Sequence, residues 1–350
     1  MARMEAASRW KNANDPNDFQ DCTKIAGHMK CSVCIFTFNH HDFIAETIEG
    51  VLSQQTHFDF EIVIGEDCST DGTREIVESY QKRYPHKIRA LLHPRNLGMM
   101  ANNSYTVTQG QGEFIAVLDG DDYWINPLKL QTQVDFLEAS PEYALCFHDA
   151  RILNEDGSWN QHTCCGVDHK KVVTFEDIIC DVHIPTSSLV FRRKALTGYP
   201  PAWFNSLNAP DRPLFLMVAS NGPGYYFNET WGVYRKHSGG TWTGQHYQSR
   251  WLTHLQIYKV MNRHYQNRYN SSFCKCESRA VYVLAYLLIE EKKLKRALCF
   301  MRKYIRLNGG LFSMKTGTYR YILRLVVLYC KARIRRLFTD HIKSPPPVKK

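Results

Sequence analysis

Nowhere in the 350 residues is there a run of the roughly 18 to 20 apolar positions that a helix needs to cross a bilayer. The longest apolar run, Ala280 to Ile289, is about half that length, so no helical membrane span is expected. Met1 to Asp21 is polar and lacks an apolar core ahead of a cleavage site, so a secretory leader is not expected either. The 12 cysteines therefore read as thiols of a reducing cytosol rather than as a disulfide framework. Cys31 and Cys34 are spaced as C-x-x-C, but within a strand an offset of three points the two thiols to opposite faces, which disfavours a shared metal.

Glycine is missing where a phosphate loop would need it. The segment after the first expected strand is Asn39-His40-His41-Asp42, and Gly110-Gln111-Gly112 precedes a strand instead of following one. A dinucleotide-binding dehydrogenase is disfavoured by that order, as is a nucleotidyltransferase, which places a Gly-rich basic loop right after its first strand. Acidic residues are scarce in the last hundred positions. Residues 251–350 hold 22 Lys and Arg against 4 Asp and Glu, a net of +18, whereas the first 250 hold 22 against 30, a net of −8. A basic segment on a mildly acidic body is where a polyanion docks, be it nucleic acid, anionic lipid headgroups or a phosphorylated acceptor. Within it, Tyr321 to Cys330 is apolar but contains Arg324 and is flanked by Arg320, Lys331, Arg333, Arg335 and Arg336. Such a helix either lies at a membrane interface or packs on its own domain with a solvated basic face.

What is present is a globular composition, 44% hydrophobic and 13% aromatic, in a chain long enough for one large α/β domain and an appendage. Strands are expected at Cys31–Phe38, Phe58–Gly65, Ile88–Leu92, Phe114–Leu118 and Ala144–His148, and helices at Phe43–Gln55, Thr73–Arg83, Met99–Thr108 and Pro127–Ala139. This alternation predicts a Rossmann-like α/β fold, a mostly parallel central sheet flanked by helices, with ligands beyond the carboxyl ends of the strands. Further on, strands at Ser188–Arg192 and Tyr225–Tyr234 with a helix near Leu214–Ser220 suggest a more antiparallel portion. The expected organisation is a polar leader over 1–29, a catalytic domain over 30–245, a basic helical extension over 246–340 and a disordered Pro/Lys tail over 341–350.

Acidic clusters fall where such a sheet presents its loops. Glu66 to Gly72, E-D-C-S-T-D-G, follows the second strand and offers carboxylates and hydroxyls to a ligand, or caps the next helix. Asp119, Asp121 and Asp122 follow a buried strand; at the end of a low-dielectric sheet they repel one another unless a cation relieves them. Carboxylate oxygens suit Mg²⁺ or Mn²⁺, which bridge a few protein carboxylates to a diphosphate. Asp211 precedes an apolar helix, and taken alone it reads as an N-terminal cap; His237 sits between a strand and Gly239-Gly240. Arg192, Arg193 and Arg235 are candidates for phosphate oxygens, and Trp124, Trp203, Trp231 and Trp242 for stacking on a sugar or for core packing.

Taken in order, V-C-I-F-T-F-N-H (33–40), G-E-D-C-S-T-D-G-T (65–73), R-N-L-G-M-M-A-N-N (95–103), D-G-D-D-Y-W (119–124) and Y-R-K-H-S-G-G (234–240) resemble the family 2 glycosyltransferases with the GT-A fold, over roughly Lys30 to Gly240. The resemblance implies an inverting, divalent-metal-dependent transfer of a sugar from a nucleotide-diphosphate donor, a UDP-sugar favoured, to a hydroxyl of a polysaccharide, glycan or lipid-linked saccharide. It places Thr37, Asn39, Asp67, Arg95, Asn96, Gly98 and Asp119 around the donor nucleotide. It gives Asp121 and His237 to Mn²⁺ or Mg²⁺, leaves Asp122 to share the task of Asp119 or Asp121, and makes Asp211 the general base. Many members carry Glu-Asp at the base position, where Pro210 precedes Asp211 here. The protein is expected in the cytoplasm, peripheral on the inner face of the membrane through its basic region, with nucleic acid disfavoured as a partner. The runner-up enzyme is a nucleotidyltransferase on a related sheet, and the alternative from another class is a non-catalytic protein that binds nucleotides or polyanions.

Overall fold

The structure is a computed structural model that describes residues 27–166, 170–180 and 182–309 and, further on, positions 323, 325–331 and 334. The expected leader up to residue 26 and the Pro/Lys tail lie outside the described residues. The described residues form two compact units, one reaching Gly244 and one starting at Gln245.

The first unit begins as a β/α alternation. Strand β1 (Cys31–Thr37) leads to α1 (Ile44–Leu52), β2 (Phe60–Glu66), α2 (Thr73–Arg83), β3 (Ile88–Leu92), α3 (Met99–Gln109) and β4 (Phe114–Asp119). β1 lies between β2 and β4, and β3 pairs β2, all parallel. Every residue of β1 and β2 is buried because helices cover both faces, which is why these strands read as continuous apolar runs instead of alternating ones. On one face Ile44, Ile48 and Val51 of α1 pack with Val33, Ile35, Ile62 and Leu118. α3 packs so closely that a Cβ on Gly65 would collide with the side chains of Asn102 and Thr106, so glycine is required there.

Beyond β4 the sheet turns mixed. β5 (Tyr123–Trp124) precedes α4 (Lys129–Ala139), β6 (Leu145–Asn154), β7 (Val172–Val173), α5 (Phe175–Cys180), β8 (Val190–Arg192), α6 (Asp211–Ala219) and β9 (Gly224–Lys236). The path across the sheet is β3-β2-β1-β4-β8-β6-β9-β5, with β7 attached to β9. β8 runs antiparallel to both β4 and β6, so β6, and β9 parallel to it, point the same way as β4. Six strands, four from the first half and two from the second, therefore end on one edge.

Several boundaries move for physical reasons. β6 continues well past the expected His148 because it pairs β9 from Leu145 to Asn154, with register shifts around Asp149. The two-residue strands β5 and β7 are too short to carry a periodic signal. α6 starts at Asp211 and not at Leu214, because Pro213 falls in its first turn, where the missing N–H costs nothing.

The second unit is helical: α7 (Tyr247–His264), α8 (Asn270–Glu290) and α9 (Leu294–Leu307). The apolar run Ala280–Ile289 supplies its core, with Ala280, Val281 and Leu284 meeting Leu255 and Tyr304. Ala285, Leu288 and Ile289 meet Ala297, Met301 and Leu325. Positions 325–331 are helical. Leu325 is buried there, while Leu323, Val326, Val327 and Ile334 are exposed by 40% or more. Among the described residues no helix is long and apolar enough to cross a membrane.

Candidate active site

The carboxyl edge of the sheet gathers most of the sequence-predicted residues. After β1, Asn39 takes a left-handed backbone (φ 55) so that its N–H reaches Ser69 Oγ (2.9 Å) and its Oδ1 accepts from the Thr70 N–H (3.0 Å). This joins the loop after β1 to the loop after β2. Asp71 caps α2, accepting from the Thr73 N–H and hydroxyl (3.0 and 2.6 Å), so the helix-capping alternative applies to Asp71.

Asp67 is nearly fully buried and serves the next loop. Its two oxygens accept from the N–H groups of Leu97 (2.6 Å) and Gly98 (3.0 Å), and the Asn96 amide donates to its carbonyl (3.1 Å). Burial pushes this carboxyl up to about 6 against the pull of those two N–H groups. Asp67, Asn96 and Gly98 thus form one unit, with Arg95 exposed beside it. Thr37 is buried; its hydroxyl lies 3.3 Å from Nδ1 of His40 and it packs under Gly120. A Cβ on Gly120 would stand 2.8 Å from both Thr37 and His40, so only glycine lets the acidic loop settle onto the end of β1.

Around Gly120 the carboxylates divide by environment. His237 Nε2 lies 3.0 Å from Asp121 Oδ2, and His40 Nε2 3.9 Å from the same oxygen. Although burial works against ionisation, the hydrogen bond to His237 and the charge of His40 hold the Asp121 carboxyl below its ordinary range. Asp119 is driven far up by burial and then by the fields of Asp211 and Asp121; Asp211 is driven to about 6 by burial, with Asp121 adding to it. The Thr186 hydroxyl hydrogen-bonds to both Asp119 and Asp211 and works against each shift. So Asp119, Asp121 and Asp211, dispersed over 93 positions of the sequence, share one electrostatic field.

Some expected roles change. Asp122 is buried, its Oδ1 accepts from the Arg235 N–H (3.0 Å), and the Thr47 hydroxyl reaches its carbonyl (2.7 Å); it braces the loop rather than facing a ligand. Arg235 is turned inward as well. Its guanidinium binds the Asp121 carbonyl (2.5 Å) and the Glu46 carboxylate and lies over the rings of Tyr123 (4.3 Å) and Phe43 (5.2 Å), which leaves it committed to the protein instead of a diphosphate. Arg192 and Arg193 sit at the opposite edge: Arg192 pairs with Phe114 at the start of β4, and the Arg193 N–H donates to the Glu113 carbonyl (2.8 Å). Trp124 and Trp231 are core. The Trp124 N–H donates to the Ser187 carbonyl (2.6 Å), and Trp231 packs on Phe227 and His148. Trp203 packs against Phe204, and Trp242 is half-buried.

Sequence reasoning missed His40, Thr186 and Glu46. His40 stands in a run of polar residues with no pattern of its own, and Thr186 lies in a 3₁₀ turn whose place beside Asp119 and Asp211 is a matter of tertiary folding.

The donor set for a cation is small. Among the described residues no group of three or more His, Cys, Asp and Glu is arranged to hold a metal ion. Asp121 and His237 are a two-donor set, and two protein donors fit Mg²⁺ or Mn²⁺, whose remaining positions go to waters and substrate phosphates.

Residues 32–196 match the model of Glycosyl transferase family 2. An uncharacterized protein of Mycobacterium tuberculosis is 33% identical over 211 residues, 60% of this chain and 60% of its own length. The chain thus spans less than two thirds of that relative's length. Among solved structures, the TarS 1–349 fragment of S. aureus in complex with UDP-GlcNAc superimposes with a TM-score of 0.52 at 20% identity, covering 87% of this chain and 88% of that one. A mannosyltransferase of Pyrobaculum calidifontis in complex with GDP-Man and Mn²⁺ gives 0.53 at 13% identity, covering 97% and 96%. Both share with this chain a central sheet flanked by helices in the GT-A arrangement. Over residues 32–196 the chain is thus a match to Glycosyl transferase family 2, on a fold of the GT-A arrangement.

Proposed function

We propose that the chain transfers a sugar from a nucleotide-diphosphate donor to a saccharide or lipid-linked hydroxyl, with inversion and with a divalent cation. The observation that carries this reading is the split among three carboxylates at one edge: Asp121 held ionised by His237 and His40, Asp119 and Asp211 pushed up beside it. A pair of environments that drives carboxylates apart is how acid–base and charge-binding roles are assigned within one site.

In this reading the segment from Asp67 to Gly98, with Thr37, Asn39 and Arg95 around it, holds the nucleotide, and Asp119 faces its ribose. Asp121 and His237 would hold Mn²⁺ or Mg²⁺, which neutralises the charge gathering on the departing diphosphate. Asp211 takes the proton of the acceptor hydroxyl as that oxygen attacks the anomeric carbon from the face opposite the leaving group. Its carboxyl, near 6, is largely ionised at neutral pH yet basic enough to accept a proton. Thr186, bonded to Asp211 and Asp119, keeps base and donor carboxylates in register. UDP-GlcNAc bound to TarS supports a UDP-sugar as donor, and the Mn²⁺ of the archaeal mannosyltransferase supports the cation.

The deciding experiment is a donor-hydrolysis screen over the common UDP- and GDP-sugars with Mn²⁺, Mg²⁺ or EDTA. Release of nucleotide diphosphate from at least one donor, lost in EDTA, is expected. Nucleotide binding without turnover on any donor or acceptor would favour a non-catalytic binding protein instead.

The second unit is placed at the inner face of the membrane in this reading. The exposed side chains of Leu323, Val326, Val327 and Ile334, in a stretch carrying Arg320, Arg324, Lys331, Arg333, Arg335 and Arg336, support an anionic lipid surface as its partner. Pelleting with anionic liposomes and not with neutral ones is expected; equal pelleting, or none, refutes it.

A further inference from the structure

Past Asn154 the chain reverses in a tight turn and lays Trp159 beside Leu153 as an isolated antiparallel bridge. The turn is well specified. The Asn154 N–H donates to the Ser158 carbonyl (2.9 Å), the Gly157 N–H to the Asn154 carbonyl (2.9 Å), and Gly157 has φ +80, a conformation glycine adopts without strain. Glu155 at its tip clasps the loop that carries His237: its Oε1 accepts from the Ser238 hydroxyl (2.6 Å) and N–H (3.2 Å). The hairpin is therefore anchored to the same loop as the candidate cation ligand.

Trp159 is the exposed tryptophan of this edge, at 43%, whereas Trp124 and Trp231 are 3% and 8% exposed. The Arg151 guanidinium lies 3.9 Å from the centre of its ring, and the backbone bonds on either side hold the ring in place. A large indole in water at a fixed attitude offers an electron-rich face, and its ordering cost is already met before anything binds. The C–H face of a pyranose ring is the complementary surface.

We infer that Trp159, backed by Arg151, is an acceptor subsite that stacks a sugar ring of the saccharide chain; this rests on the transferase reading above. Its position also says which ring. Tyr123, Val233 and Arg151 stand side by side across β5, β9 and β6, so Arg151 is two strand spacings, about 10 Å, from the strand that follows Asp121. Trp159 is bridged to Leu153 on the side of β6 away from β9, one strand spacing beyond β6 from the strand that follows Asp121. The ring it holds is a remote one, beyond the sugar whose hydroxyl reacts, so the subsite takes an oligosaccharide and does not engage a monosaccharide.

The test is calorimetry of the full chain with homo-oligomers of glucose, mannose and N-acetylglucosamine, one to six units long, with UDP and Mn²⁺ present. In the wild-type protein, affinity in at least one series is expected to rise with length. Trp159→Ala should flatten that rise, losing about 3- to 10-fold on the long members, the range of an aromatic contact. Trp159→Phe should recover part of it, and circular dichroism should show both variants folded. The inference is overturned if the length dependence is the same in Trp159→Ala, or if no series shows one in the wild type. Donor hydrolysis by the wild-type protein is read separately: its absence counts against the transferase reading, while the binding series still decides the role of Trp159.

Discussion

Replacing Asp211 by Asn separates chemistry from stability at one atom. The amide keeps the shape of the carboxylate and still accepts a hydrogen bond from the Thr186 hydroxyl, but it can neither carry charge nor take a proton. If Asp211 is the base, kcat should fall by about 10²- to 10⁴-fold, the worth of a positioned proton acceptor. The same substitution should stabilise the fold. Burial and the field of Asp121 raise the Asp211 carboxyl from its ordinary 3.8 to about 6. The folded state therefore holds this proton more tightly than the unfolded chain does, and ionising the group costs the folded state about 3 kcal/mol above pH 6. That cost fades as pH falls from about 6 toward 4 and is gone below about pH 3, where both states are protonated. Without a cation, in EDTA, Asp211→Asn should thus raise the unfolding midpoint by several degrees at pH 7.5 and by little at pH 4. In the wild type, kcat/KM should drop about tenfold per pH unit below 6. Differential scanning fluorimetry across pH, paired with a coupled assay of nucleotide release, reads both effects. Full turnover in Asp211→Asn, or a lowered midpoint at pH 7.5, would refute the assignment.

Three further outcomes follow from other residues. Asp121→Ala should remove Mn²⁺-dependent nucleotide binding by calorimetry and abolish turnover, while a variant that retains both would mean the cation is held elsewhere. Lys129 is fully buried with its amine over the Trp124 ring (3.7 Å) and no hydrogen-bond partner; burial lowers it to about 7. Lys129→Met should therefore stabilise the fold by an amount on the order of 3 kcal/mol at or below pH 7, after allowing for the lost cation–π contact, and the ionisation part of that gain should fade through pH 10 and be gone above about pH 11, where the amine is neutral in both states. Equal unfolding midpoints for the two proteins at pH 6 would count against that burial cost. Gly65→Ala should destabilise by about 1 to 3 kcal/mol in urea unfolding, because its methyl meets Asn102 and Thr106 and α3 has to move; an unchanged midpoint would show that α3 yields freely.

The parallel half of the fold was legible because its strands are buried on both faces and read as apolar runs, and because α1 between the first two shows one apolar stripe. Phe114 to Asp119 announces both its strand and the place where its carboxylates emerge. The mixed half was not, since β5 and β7 are two residues each and β6 owes its length to pairing with β9 rather than to its own pattern. Residue type identified Asp67, Asp121 and His237 as polar groups at strand ends. It could not say that Asp122 and Arg235 face each other inside the protein, because that pairing joins positions 113 residues apart. Arg192 and Arg193 illustrate the same limit: an arginine beside a strand gives no hint of which end of the sheet it occupies. Thr186, an ordinary residue in an ordinary turn, gains its meaning only from the two carboxylates folded against it.

A crystal of the full chain grown with UDP and Mn²⁺, with anomalous scattering recorded at the manganese edge, bears most directly on the central claim. One anomalous peak between Asp121 Oδ2 and His237 Nε2, in contact with the diphosphate and with the uracil beside Asp67, is expected. A peak elsewhere, or UDP bound with Asp121 and His237 still paired to each other, would contradict it.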